Sequence, residues 1–285
     1  MHEVEPTIQD SIMAVYDQLP PGERKLADTT LSRLNDLASY SATELAVSAK
    51  VSKATAVRFF RRIGYQSFGQ VRRQARAEAY LASPLYALAG VNPKERATDA
   101  LSNHVATDIR NLTETFQHQK AKHFDQAVSL IATAPQVRVI GMRNGHFVAQ
   151  HAAYLLAQLR NNVASLPGSS MTLAEDLASL NKGDVLLVVD FRRRATLLPT
   201  VVNAARGANV NLVFISGPGM SALSRPGDIV LQCLTEGASV FDSYVAAVSI
   251  VNYLATSVAK QLGKHSRKRL EVIEALHESL EDLRP

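Results

Sequence analysis

Two groups of arginines carry the chemistry this sequence offers. The first lies in residues 50–76, which hold eight Lys/Arg (Lys50, Lys53, Arg58, Arg61, Arg62, Arg72, Arg73, Arg76) and no acid. The 49 residues before them hold three Lys/Arg and eight Asp/Glu. The formal net charge of +5 therefore understates a local field that suits a polyanion. The second group is Arg143 with Arg192, Arg193 and Arg194. A guanidinium is a planar fork of donors that fits carboxylate or phosphate through two hydrogen bonds. The plainer readings are a solvated helix face for the first group, and surface arginines or partners of Asp190, Asp242 or Glu236 for the second.

The first group needs a helix to aim it. Residues 43–64 read as two helices joined by a tight turn, with Ala46, Val51 and Val57 as the small or apolar contacts between them. Thr43–Ala49 follows Ser41 or Ala42 as cap, Ser52 opens Lys53–Ile63, and Gly64 closes it. At about 100° per residue from Lys53, Phe59, Ile63, Ala56, Phe60 and Val57 share one side, at roughly 240° to 40°. Arg61, Ala54, Arg58, Arg62 and Thr55 share the other, at roughly 80° to 200°. An apolar face opposite Arg and Thr is what a major-groove recognition helix needs, since Arg can bridge guanine O6 and N7. Ser52 and Lys53 at the helix N-terminus suit a phosphate, and Arg72 and Arg73 on the next helix suit the DNA backbone. That helix runs from Phe68 to about Leu81 behind Ser67. Ile8–Leu19 and Glu23–Leu34 are the helices expected ahead of the motif.

Residues 82–93 contain Pro84, Gly90 and Pro93 and read as a linker or loose turn. A helix over 94–119 follows, with Leu101, Val105, Ile109, Leu112 and Phe116 in one apolar stripe, and another over 121–133. From Gln136 the rhythm changes. Apolar β-branched runs at 137–141, 163–166, 184–190, 210–216 and 228–233 alternate with helices at 146–160, 172–180, 195–206 and 239–262. That alternation predicts an α/β doubly wound, five-stranded parallel sheet of flavodoxin-like type, whose ligands bind beyond the carboxyl ends of its strands. The loops after Gly141, Asp190, Ser216 and Cys233 are then the candidate site. It would include Arg143, Asn144, Arg192, Arg193 and Arg194, with Ser216, Ser239 and Ser243 as further lining or helix-capping groups.

Composition excludes several classes. At 46% hydrophobic and 20% charged the chain of 285 residues is neither disordered nor unusual, and its length suggests about two domains. One cysteine, Cys233, excludes a disulfide framework and fits a reducing cytoplasm. The first twenty residues carry acids where a signal peptide needs bases. The longest charge-free stretch, 243–259, places Ser249, Asn252 and Thr256 on one helical face and reads as a buried amphipathic helix, not a membrane span. His118/His123 and His146/His151 are each five apart, which does not make a metal face, so no cofactor or metal is expected. The run Lys264–Arg269 reads as an exposed basic helix, with added non-specific DNA affinity as the less favoured reading.

The stretch ERKLAD from Glu23, the turn and recognition segment VSKATAVR from Val51, and RRIGY from Arg61 followed by Ser67-Phe68 resemble the N-terminal domain of RpiR/MurR-type bacterial transcription regulators. Those proteins join this helix-turn-helix to a sugar isomerase (SIS) domain, which the segment from about 136 to 262 resembles. The resemblance implies an all-α helix-turn-helix domain (1–82), a linker (83–93) and a SIS domain (94–285) that binds a carbohydrate derivative and supports a homodimer or homotetramer. The implied partners are double-stranded operator DNA and an anionic small-molecule effector: a sugar phosphate, sugar acid or other carboxylate. The helix at 94–119 would link the two functions.

The sequence departs from that family in three places. Lys50 stands where the turn usually has Gly; a left-handed residue there costs on the order of 1 kcal/mol. The loop after the first strand reads GMRNGH from Gly141. The loop after the third reads DFRRRAT from Asp190, so arginines replace the hydroxyls that usually wrap a phosphate. An isomerase would need a base, for which Glu236 and His146 are available, but it would lack that positioning loop. The alternative is a sugar-phosphate isomerase or sensor with a vestigial DNA-binding domain; otherwise the chain is not an enzyme.

Overall fold

The structure is a computed structural model that describes residues 7–31, 33–34, 37, 40–81, 88, 96–168, 172–191, 195–217 and 223–282. It divides into two units, Met1–Lys94 and Glu95–Pro285. The linker residues 83–87 and 89–93 lie outside the described residues.

The described part of the first unit is helical: α1 Ile8–Met13, α2 Pro21–Leu31, α3 Ala42–Ser48, α4 Lys53–Arg62 and α5 Phe68–Leu81. The α1 helix is shorter than the expected Ile8–Leu19. It ends at Met13, and a single 3-10 turn, Tyr16–Gln18, leads into Pro20. The proline disfavours helical geometry at Leu19, which is extended at ψ 132°. Pro21 then opens α2, two residues earlier than expected, in the one helical position where a missing N–H costs nothing.

Two helix ends shape the motif. The amide of Gly64 donates to Arg61 O (3.1 Å) and that of Tyr65 to Phe60 O (2.9 Å), with Gly64 at φ +96°. The same pair of bonds closes α3: Lys50 N to Val47 O (3.0 Å) and Val51 N to Ala46 O (2.9 Å), with Lys50 at φ 54°. Both are left-handed caps that satisfy the last helical carbonyls. Ala56, Phe59, Phe60 and Ile63 are buried as the helical angles require. Val57 is not: at the edge of the apolar arc, it is 43% exposed and makes no core contact of the expected kind.

The second unit holds β1 Val137–Gly141, β2 Val163–Leu166, β3 Val185–Asp190, β4 Asn211–Ser216 and β5 Ile229–Gln232 in one parallel sheet of order β2-β1-β3-β4-β5. Its helices are α6 Ala97–Gln117, α7 Ala121–Thr133, α8 Gly145–Leu159, α9 Leu173–Ala178, α10 Leu198–Gly207, α11 Val245–Leu262 and α12 Lys264–Leu280. Alternate residues of the strands feed two cores. Val139, Leu187, Val213 and Leu231 meet α7, α8 and α11 on one face. Ile140, Val188 and Phe214 meet Leu198, Val201 and Val202 of α10 on the other. Burial on both faces is why these strands read as continuous apolar runs. By length and composition α11 could cross a membrane, but Ile250, Val251, Leu254 and Val258 are buried in the sheet core.

The apolar stripe of α6 is exposed over its first half. Leu101, Val105 and Ile109 are 65%, 48% and 58% exposed, while Thr107, Asn111 and Thr115 are buried. The polar side chains are inward because they meet backbone groups that no strand pairs. Asn111 Nδ2 donates to Glu236 O (2.7 Å), and Leu234 N donates to Thr115 Oγ1 (2.9 Å). Apolar periodicity finds a stripe but does not say which neighbour covers it.

Candidate nucleic-acid interface and effector site

Aromatic contacts anchor α4. Phe60 stacks against Phe59 (5.1 Å between centroids) and Phe68 of α5 (4.9 Å). The opposite face is solvent-exposed at Arg58, Arg61 and Arg62, with Thr55 half-buried, and Lys53 is exposed in the first turn. Ser52 caps the helix by accepting from Thr55 N (3.1 Å), and its hydroxyl lies 2.9 Å from that of Thr55. Thr55 Oγ1 in turn accepts from Arg58 Nη2 at 3.4 Å. One short chain of polar contacts thus lays Arg58 along the N-terminal turn.

Arg62 is engaged differently. Its Nε donates to Glu23 Oε2 at 2.7 Å, and that carboxylate is buried at the start of α2. The bond ties α4 to α2 across 39 residues of sequence. Arg73 is exposed; Arg72 is half-buried and close enough to Glu44 to help hold that carboxyl below its ordinary range. The larger causes of that depression are the backbone and side-chain hydrogen bonds with Ser41, which close a capping box on α3. The first unit therefore gathers Thr55, Arg58 and Arg61 on one helix face, with Ser52 and Lys53 at the helix N-terminus. Arg62 flanks that face through its ion pair, and Arg72 and Arg73 lie on the adjoining helix.

In the second unit the sheet order reverses between β1 and β3, the place where open α/β sheets bind ligands. A cavity of about 20 Å³, near the size of one water molecule, lies there beside Arg143, Asn144, Asp190, Phe191, Asp242 and Tyr244. Glycine permits the close approach of the loop to the strands. A Cβ on Gly141 would sit 2.2 Å from Gly145 O, and one on Gly145 would sit 2.8 Å from Val189 O. Arg143, exposed at the mouth of that cavity, takes a left-handed backbone at φ 55°. Asn144 Nδ2 donates to the Tyr244 hydroxyl (3.1 Å), which donates to Asp242 Oδ2 (3.4 Å). The Tyr244 ring contacts Phe147 edge-on (5.6 Å) and Phe191 at a tilt (4.9 Å), and Tyr244 and Phe191 line the cavity.

The expected site residues separate. Arg143 and Asn144 line the cavity. Ser216 is fully buried at the end of β4, its hydroxyl without a partner among the described residues. Ser239 is exposed, and Ser243 is half-buried, its hydroxyl 3.5 Å from Val245 N. None of these three serines lines the cavity. Arg192, Arg193 and Arg194 lie outside the described residues. Glu236, considered as a partner for the loop arginines, pairs instead with Arg110 at 2.9 Å. Tyr244 is the residue that sequence reasoning missed: a lone aromatic before a long apolar helix gives no periodic signal. Among the described residues no group of three His, Cys, Asp or Glu is placed to hold a metal. Cys233 is buried, and desolvation pushes its thiol up to about 12.

Comparison with known proteins agrees with this architecture. Residues 7–80 match the helix-turn-helix domain of the rpiR family, and residues 130–257 match the SIS domain. The chain is 24% identical over 246 residues to the bifunctional protein glk of Burkholderia thailandensis, covering 86% of this chain and 37% of that protein. It thus spans 37% of the length of that relative. It is 24% identical over 259 residues to the HTH-type transcriptional regulator HexR of Pseudomonas aeruginosa, covering 89% of this chain and 90% of HexR. Among solved structures, the NanR protein of Vibrio vulnificus, complexed with ManNAc-6P, is similar with a TM-score of 0.55 at 17% identity. That match covers 96% of this chain and 99% of NanR and is a likeness of fold. The chain thus carries an rpiR-family helix-turn-helix domain followed by a SIS domain, and the regulator HexR is among its homologues.

Proposed function

We propose that this protein is a cytoplasmic transcription regulator, not an enzyme, that binds operator DNA through α4 and responds to an anionic effector at the β1/β3 crevice. The observation that carries the reading is the exposed Arg58–Arg61 face of α4, with Lys53 exposed at its first turn, held by a buried Phe59/Phe60 anchor and a serine cap. Lys53, with Ser52 at the helix N-terminus, meets a phosphate, as do Arg72 and Arg73; Thr55, Arg58 and Arg61 meet base edges. Arg62 positions the helix from its bond to Glu23. The protein acts as a homodimer or homotetramer, which presents two recognition helices to a palindromic site.

The effector is a sugar phosphate, sugar acid or related carboxylate. NanR, whose fold is similar, is complexed with a sugar phosphate. In this chain Arg143 and the arginines Arg192, Arg193 and Arg194 supply the cationic donors and Asn144 a neutral one; Ser216, Ser239 and Ser243, which do not line the cavity, contact the effector only if the loops around it rearrange. Tyr244 and Phe191 line a cavity only about 20 Å³ in volume, so an effector larger than water enters by moving that aromatic pair. The movement is what lets the effector favour one arrangement of the protein over another.

A thermal-shift panel of sugar phosphates, sugar acids and keto acids tests this, with Arg143→Ala and Arg192→Ala/Arg193→Ala beside the wild type. A ligand at about a hundredfold its Kd stabilises by roughly 2.7 kcal/mol, a rise of several degrees. A rise lost in the arginine variants is expected. A rise that survives in all of them contradicts the arginine assignment, and no rise with any anion contradicts the effector class.

A further inference from the structure

We infer that the groove beside α12 is a second ligand site, which takes an amphipathic anion: an aliphatic carboxylate of the fatty-acid class. The inference rests on neither the DNA reading nor the effector crevice. The groove, of about 660 Å³, lies between α12 and the ends of α7, α8 and α11. Asn161 and Asn162 on its wall lead into β2, so it lies at the amino ends of the strands, opposite the crevice at their carboxyl ends. Leu159, Leu262, Val272, Ile273 and Leu276 give it an apolar lining, of which Val272 and Leu276 are 53% and 55% exposed. Small-molecule sites of roughly 300–1,000 Å³ likewise set a few polar groups among apolar ones.

Charge names the ligand. Arg160, Lys268 and Arg269 share the lining with His265, and none of its residues is acidic. The α12 helix sorts its charges by face. Glu271, Glu274 and Glu278 line its other side, where Arg267 pairs with Glu271 at 3.0 Å. The carboxylates that could neutralise the groove are therefore turned away from it. Its two arginines are held by neutral acceptors. Arg160 donates to the carbonyls of Ile131 and Ala134 and to Pro135 O (3.3 Å). Arg269 Nε donates to Ala157 O (2.7 Å), and its Nη1 donates to Asn161 Oδ1. A helix end offers only roughly half a negative charge, so the groove keeps a positive field. Partial burial with no anion to offset it lowers the Arg160 guanidinium from its ordinary pKa. Arg269 Nη2, Lys268 and His265 have no partner among the described residues. A sugar phosphate would leave the apolar wall wet, and a neutral hydrocarbon would cover cations without a counter-charge. A carboxylate on a chain satisfies both: its head meets Lys268 and Arg269 Nη2, and its chain runs past Val272 to Leu276, about 12 Å along the helix.

The test titrates hexanoate, octanoate, decanoate and dodecanoate into the full chain by calorimetry, each below its micelle concentration, with 1-octanol as the uncharged probe. One dodecanoate binds per chain, and affinity rises by up to about fourfold per methylene, the worth of a buried CH2. Octanoate binds about tenfold tighter than 1-octanol. Lys268→Glu weakens dodecanoate by about tenfold or more, and Leu276→Glu flattens the dependence on chain length. Circular dichroism and a melting point equal to the wild type's show that each variant folds. No binding of dodecanoate overturns the inference, as do an affinity independent of chain length, 1-octanol as tight as octanoate, and binding untouched by Lys268→Glu. Binding lost in Arg143→Ala places the carboxylate in the effector crevice and overturns it too. If dodecanoate fails to bind and Leu276→Glu halves the molar mass, a second copy fills the groove. If Lys268→Glu weakens DNA binding but not dodecanoate binding, the basic face serves DNA and the inference is wrong.

Discussion

Lys50 occupies a glycine's position at the residue scale. It sits at φ 54° with its amide on Val47 O, at the cap that separates α3 from α4. Lys50→Gly relieves the left-handed strain, and net of glycine's extra freedom when unfolded it raises stability by about 0.5–1 kcal/mol, read from the urea midpoint. Glu44 gives a pH signature. Its carboxyl lies below the usual range, chiefly through its hydrogen bonds with Ser41. The stability it contributes is therefore present above its unfolded pKa and is lost as pH falls through the lower folded one. Glu44→Gln is expected to lower the unfolding midpoint at neutral pH and to match the wild type in acid below the carboxylate range. A deficit that persists in acid would show that the bond, not the charge, matters. The Cys233 thiol, buried and pushed up to about 12, should react with a thiol reagent only after unfolding.

Elements are where the sequence was most and least legible. Binary pattern with cap residues located α4 from Lys53, α7 at 121–133, and β1 and β2 to the residue. These are segments whose burial follows their own periodicity. It misplaced the covered face of α6, because a helix docked by Asn111 and Thr115 onto loop backbone is not packed by its apolar side. Asn111→Ala should cost about 1–3 kcal/mol by leaving the Glu236 carbonyl without its donor, whereas Ile109→Ala on the exposed stripe should change monomer stability little. The site divides in the same way. The place of Arg143 and Asn144 beside the cavity was legible because strand ends follow from strand pattern, but the Tyr244–Phe191 contact depends on which loops meet, and that is set by sheet order. The Glu23–Arg62 bond joins positions too far apart in sequence for spacing to reveal. Removing it with Glu23→Gln should destabilise the first unit by about 1–2 kcal/mol, since a charge-assisted hydrogen bond to a buried carboxylate is lost while Arg62 remains solvated.

At the scale of the whole molecule, the account joins a basic reading helix in one unit to a ligand crevice in the other. Both are proposals that stand on separate residues, so each can fail alone. Phosphate contacts make DNA affinity fall steeply with salt, and each lost contact to a phosphate reduces that slope by about one. Lys53→Ala should therefore weaken binding to all sequences alike, while a base-reading arginine should act on preference. The most direct measurement selects duplexes from a random DNA library with the full chain, then titrates the enriched duplex with wild type, Arg58→Ala and Arg61→Ala by fluorescence anisotropy. The account predicts an enriched palindrome and a loss of about 1–3 kcal/mol in the variants, with relaxed preference at particular base pairs. No enrichment, or variants that bind the selected duplex as tightly as the wild type, would contradict it.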